Sequence, residues 1–193
     1  LHEEDDCMKG FEREDQLFSL CGLNCGLCSM QLSGYCPGCG GGSGNQSCSI
    51  ARCAMEQEAV VTYCFECTKF PCKRYAEADL YDSFITHRHR MQDFARMKEC
   101  GAEVYHVQQK EKIEILQKLL SEYNDGRRKT LFLLAVNLLE IEDLRYVIKI
   151  LSEEKIEGIK EKAVRAATLL QERAVQRGIE LKLRKKPKQK AAG

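Results

Sequence analysis

The sequence predicts a mainly α-helical protein: an irregular cysteine-rich module followed by an α-helical bundle. Three observations carry this. Ten of the twelve cysteines fall within residues 21–72, a stretch that also holds over half of the fourteen glycines and only scattered apolar residues. Beyond it, apolar residues recur at spacings of three and four, the period of a helix with one buried face. No Gly-rich loop sits between a strand and a helix, and no internal repeat is evident, which argues against an α/β layout.

The chain opens with an acidic segment, residues 1–18, carrying Glu3, Glu4, Asp5, Asp6, Glu12, Glu14 and Asp15 against Lys9 and Arg13. Such a run reads as a mobile, solvated end. It lacks the basic and apolar stretches of a signal peptide. With 30 basic and 29 acidic side chains the overall charge selects no partner.

The module itself, residues 19–74, contains Cys21-x3-Cys25-x2-Cys28, then Cys36-Pro-Gly-Cys39, Cys48, Cys53, Cys64-Phe-Glu-Cys67 and Cys72. A C-x2-C pair brings two thiolates to one side of a tight turn, where they can hold one ion. Cys36–Cys39 is the most specific pair, because its glycines permit the turn. A segment so poor in apolar residues cannot offset the entropy of ordering its own chain. A structural zinc site supplies ~10–16 kcal/mol of apparent binding energy that becomes folding energy. The module is therefore expected to be metal-stabilised, with about two tetrahedral zinc ions on the ten thiolates and two sulfurs to spare. An iron–sulfur cluster on four cysteines is the alternative. Spacing alone does not say which cysteines share an ion.

The α-helical region, residues 75–183, divides at its apolar stripes. Tyr81, Phe84, Met91, Phe94 and Met97 predict a first helix that stops at Cys100-Gly101. Ile113, Leu116, Leu119, Leu120 and Tyr123 predict a second, ended by Asn124-Asp125-Gly126. Residues 130–139 are apolar almost all round and predict a central buried helix. Glu140, Glu142 and Asp143 suit the first turn of a helix carrying Leu144, Val147, Ile148 and Leu151. A last stripe, Ile156, Ile159, Ala163, Ala166, Ala167, Leu170 and Ala174, ends at Arg177-Gly178. Ile179, Leu181 and Leu183 then alternate with charges, as in a short extended segment. The basic tail, residues 184–193, follows the same solvated pattern as the acidic start.

Other chemistries find less support. Disulfides would suit a secreted scaffold, but the long charged helical remainder favours a reducing cytoplasm and free thiols. The C-x3-C-x2-C spacing is shared with radical SAM enzymes, yet those have an aromatic where Leu27 stands and need a barrel of strands. His87 and His89 are flanked by Arg88 and Arg90 and read as a solvated basic face; His2 and His106 stand alone. Cys7 and Cys100 lie apart from the cluster, and Cys100 reads as a small apolar residue at a helix end. No acid–base pair marks an enzyme. No apolar run approaches the ~18 residues that span a bilayer. Lys182, Arg184, Lys185, Lys186, Lys188 and Lys190 could meet nucleic-acid phosphate, a weaker reading for a terminus.

Cys-Gly-Leu-Asn-Cys-Gly-Leu-Cys at 21–28, Cys-Pro-Gly-Cys at 36–39, Cys-Ser-Ile-Ala-Arg-Cys-Ala at 48–54 and Cys-Phe-Glu-Cys-Thr-Lys-Phe-Pro-Cys-Lys at 64–73 together resemble the DUF3795 family, cysteine-rich prokaryotic proteins of unknown function. The resemblance implies metal binding, generally zinc, through Cys21, Cys25, Cys28, Cys36, Cys39, Cys48, Cys53, Cys64, Cys67 and Cys72. It lends no reaction. Three functions are thus in view: a non-catalytic zinc module facing a protein partner, an iron–sulfur electron carrier, and, more weakly, a nucleic-acid-binding regulator.

Overall fold

The computed structural model describes residues 10–45, 48–57 and 61–187. The protein is mainly helical. In chain order come α1 (Ser29–Leu32), α2 (Ser49–Met55), α3 (Arg90–Cys100), α4 (Ala102–Glu122), α5 (Lys129–Leu138), α6 (Ile141–Glu153) and α7 (Ile159–Gln176). Single 3-10 turns occupy Cys25–Leu27, Cys64–Glu66 and Lys73–Tyr75. Among the described residues there is no strand longer than one antiparallel bridge, Glu12 to Gly41. No described helix is long and apolar enough to cross a membrane.

The helical core forms where α4, α5, α6 and α7 present their apolar stripes to one another. Leu116, Leu119, Phe132, Leu139, Leu144 and Leu170 are fully buried there, each worth about 1.5–3 kcal/mol of burial. As the sequence predicts, α5 is buried from Phe132 to Leu138 and lies at the centre. Leu27, from the cysteine-rich segment, is 1% exposed and belongs to this same core. The first predicted helix is shorter than its stripe. It begins at Arg90, leaving Tyr81 and Phe84 in an exposed loop. Conversely, α4 begins eleven residues before Ile113, directly after Gly101, whose φ of 84° breaks it from α3.

Helix ends follow local chemistry. After α7, Gly178 adopts a φ of 67°, Gly178 N donates to Val175 O (3.0 Å), and Ile179 N donates to Ala174 O (2.8 Å). This double closure satisfies the last carbonyls and turns Ile179 back onto the core. Asp143, expected as a first-turn acid, does more: it is fully buried and accepts from Arg173 (2.6 Å) and Arg177 (2.8 Å), fastening α6 to α7.

The segment after α7 forms no strand. It runs as a strap, residues 179–187, clamped to the 77–89 loop. Asp82 N donates to Arg184 O (2.8 Å), Arg184 N donates back to Asp82 Oδ2 (2.9 Å), and the Arg88 guanidinium donates to the carbonyls of Glu180 and Lys182. His87 and His89 are not on a solvated face. His87 is held by Ala78 O (2.8 Å) and Ser83 Oγ (3.0 Å), burial drives the His89 pKa down to about 4, and Arg90 is 4% exposed. The loop partly buries both histidines, which two-residue spacing on a supposed helix could not reveal.

Candidate metal centre

Residues 11–18, read from sequence as part of a mobile acidic start, instead wrap the cysteine module. Phe11 and Phe18 are buried. Arg13 N donates to Gly40 O (3.2 Å), Cys39 N to Gln16 O (3.1 Å) and Gly26 N to Leu17 O (2.8 Å). At Gly38 the approach is close enough to demand glycine. A Cβ on Gly38, already at φ 93°, would lie 2.4 Å from Gln16 O, and one on Gly26 would lie 2.5 Å from Ile113 Cδ1 on α4. The Arg13 guanidinium donates to the carbonyls of Asp15 (2.6 Å), Phe18 (3.0 Å) and Thr62 (3.0 Å), so one side chain joins the leading segment to the turn before Cys64.

Eight of the ten clustered thiols lie in two adjoining neighbourhoods that meet at Cys21. In the first, the loss of water around its partly buried thiol raises the Cys25 pKa well above that of a free thiol, and neighbouring Cys39, Cys21 and Cys28 raise it further. Burial also raises Cys39, opposed by a backbone hydrogen bond at Leu20 and by Arg13. In the second, Cys53, Cys64, Cys67 and Cys72 line one cavity of about 270 Å³, walled by Ile50, Val61, Phe70 and Tyr75. Burial pushes the Cys64 thiol up to about 12, with Cys21, Cys72 and Cys67 adding to it and a hydrogen bond with Tyr75 opposing it. Gln57 spans this group, donating to Cys53 Sγ (3.6 Å) and accepting from Cys67 Sγ (3.5 Å).

Cys21 lies between the groups, acting electrostatically on Cys25 and Cys39 on one side and Cys64 on the other. Its Sγ is 3.2 Å from Ser19 Oγ, and Tyr75 OH donates to its carbonyl (3.4 Å). Cys36 follows α1, its amide bonded to Met30 O (3.2 Å). Cys48 packs with Cys39 and Cys64 on the small cluster of Phe11, Leu20 and Ala51. Cys100 sits against the aromatic cluster of Phe18, Tyr63, Phe94 and Tyr105, in keeping with an apolar role. Cys7 lies outside the described residues. All eleven described cysteines are free thiols of intermediate exposure. As placed, no three or more His, Cys, Asp or Glu side chains among the described residues form a group that could hold a metal ion.

Several supporting residues escaped the sequence reading. Arg13 and Tyr75 lie beside thiols but carry no motif. His106 is not alone: Nε2 stands 3.0 Å from Tyr63 OH, which donates to Asp15 Oδ2 (2.7 Å). Asn24 was visible inside the C-x3-C spacing and could have been asked what its side chain does. Compared with protein-family models, curated proteins and solved structures, the chain matches none.

Proposed function

We propose that residues 21–72 form a thiolate metal centre holding about two zinc ions in four-sulfur sites, within a non-catalytic module that faces a protein partner. The observation that supports this is the crowding of eight thiols in two adjoining neighbourhoods, one around Cys25 and one lining the cavity at Cys64. Cys21, Cys25, Cys28 and Cys39 are the ligands assigned to one site, and Cys53, Cys64, Cys67 and Cys72 to the other, with Cys36 and Cys48 as the spares. The donor chemistry fits. Thiols raised by burial and by one another are poor acids alone, and a divalent cation offers the opposite charge that favours their thiolates. Arg13 beside Cys39 and Tyr75 beside Cys64 supply hydrogen bonds to sulfur, the kind of outer contact that orients ligands. Closing either group requires the thiols to draw together from their present placement, as metal binding coupled to folding would do. On this reading the chain is related to the DUF3795 proteins and works in a reducing compartment, the cytoplasm, where thiols stay available.

One observation favours a second reading. The cavity at Cys53, Cys64, Cys67 and Cys72 has a volume of about 270 Å³, more room than one ion needs, and an iron–sulfur cluster takes the same four thiolates. Elemental analysis and a visible spectrum of anaerobically purified protein decide between them. Colourless protein with about two zinc per chain supports the first reading; brown protein containing iron and sulfide supports the second; neither metal, with paired disulfides, defeats both.

A further inference from the structure

We propose that the cavity enclosed by α5, the 83–86 loop and the strap binds a small amphipathic anion, an alkyl or aryl carboxylate. The cavity has a volume of about 250 Å³, and Leu27, Ile85, Leu133, Leu134 and Leu183 form much of its wall. An apolar body in their midst is a fitting occupant.

Six of the twelve lining residues are polar, and Lys129 is the charged one among them. Asn137 and Thr86 line the cavity while only 6% exposed. The Asn137 amide nitrogen donates to Leu133 O (2.8 Å) and Leu27 O (3.3 Å), and Thr86 Oγ1 donates to Asp82 Oδ1 (3.3 Å), so both are fixed. Lys129 is the charged residue of the lining, beside the hydroxyls of Ser29 and Thr130, and no described Asp or Glu lines it. Across the strap, a wider groove shares Thr130, Leu134 and Leu183 and adds Lys182, Arg184 and Lys185; with Glu180 beside them and Asp82 paired to Arg184, cations still outnumber carboxylates. An anionic head therefore meets an excess of cations at the mouth, while the body enters among leucines. A cation would find no carboxylate in the cavity, and an uncharged chain would gain nothing from the Lys129 charge, which can exchange its exposed bond to Ser33 for a carboxylate.

This site is separate from the thiolate groups, touching the cysteine segment through Leu27 and Ser29, so its test stands apart from metal content. Octanoate is the probe and octanol its uncharged counterpart, titrated into the full chain while the methyl resonances of Leu133, Leu134 and Leu183 are followed. Octanoate is expected to give saturable shifts centred on those methyls, with weaker binding of octanol. Lys129 reaches outward to Ser33 Oγ (3.0 Å) in an exposed bond, so its replacement leaves the core intact. Lys129→Ala should weaken octanoate about tenfold, and Lys129→Glu should weaken it more, with octanol unaffected by either. The proposal is overturned by the absence of saturable shifts at millimolar octanoate, by shifts spread over the surface, or by equal binding of both probes to wild type and variants.

Discussion

Asn24 and Asp93 meet across the seam between the cysteine segment and the helices: the Asn24 carboxamide donates to Asp93 Oδ2 at 2.8 Å. Its oxygen in turn accepts from Gln109 Nε2 (2.9 Å) and Tyr105 OH (3.3 Å) on α4. A residue set between Cys21 and Cys25 thus ties α3 and α4 together. Gln109 also donates to Leu17 O (2.9 Å), so the leading segment joins the same network. Buried polar networks of this kind are costly to break in part, because each lost partner leaves another group unsatisfied.

The ligand assignment is open to direct test. Cys39→Ser and Cys64→Ser should each lower bound metal by about one ion and expose residues 21–72 to protease, since an incomplete four-sulfur site no longer orders its loop. Cys100→Ser, placed against aromatic rings instead, should leave metal content unchanged. Metal analysis after gel filtration reads the difference. Equal losses in Cys100→Ser and Cys39→Ser would mean that the ligand set extends beyond Cys72.

Leu27 offers a measure of how firmly the cysteine segment is docked. It is 1% exposed in the helical core, and its carbonyl accepts from Asn137. Leu27→Ala should cost about 2–5 kcal/mol, measured by urea unfolding of metal-loaded protein. A loss below about 1 kcal/mol would indicate that the site collapses around the smaller side chain.

The pH dependence of stability should carry two opposing contributions. Burial raises Asp93 to about 6, so the folded chain keeps a proton there that the unfolded chain has released. That contribution falls as pH rises from about 4 to 6. Burial lowers His89 to about 4, so the folded chain lacks a proton that the unfolded chain holds, and its contribution rises over much the same window. Asp93→Asn should leave the histidine slope unopposed: relative to wild type, its urea midpoint should climb more steeply between pH 4 and 6. Comparing the two proteins cancels the acid response of the thiols, which both share. Parallel curves would contradict the assignment.

Asp143 should prove the most sensitive acid of the α6–α7 contact. Burial alone would raise its pKa, but hydrogen bonds from Arg177 and Arg173 hold it below the usual carboxylate range. Its contribution is therefore present above the unfolded pKa of about 4 and lost as pH falls below it. Asp143→Asn should destabilise by about 1–3 kcal/mol at neutral pH, and the difference from wild type should shrink toward pH 2. A constant difference across that range would point to shape rather than charge.

The helices were legible because their information is local. The stripe of 130–139 and the Arg177-Gly178 stop are written in consecutive residues, and α5 and the end of α7 appear where that pattern puts them. The cysteine cluster was equally plain as a composition. What was not legible is which distant residues meet. Cys39 neighbours Cys25 rather than acting only with Cys36, and Asp15, Tyr63 and His106 converge from three segments. Tyr81 and Phe84 mimic helical spacing, yet Asp82 diverts the chain by accepting from His87 N (2.9 Å) and from Arg184. A long-range partner at residue 184 leaves no trace in the periodicity around residue 82.

That same pairing of Asp82 with Arg184 governs how the molecule would bear a load. One backbone hydrogen bond from Asp82 N to Arg184 O, a return bond from Arg184 N to the Asp82 carboxylate and a guanidinium–carboxylate contact fasten the strap to a loop a hundred positions earlier in the chain. Tension applied beyond residue 187 reaches this clamp before it reaches the last turn of α7. The strap must slide past the loop, breaking its bonds together, before Ile179 can be peeled from the core. Residues 179–187 are thus tethered to the 77–89 loop, and traction on them is shared with the loop that walls the Leu183 cavity.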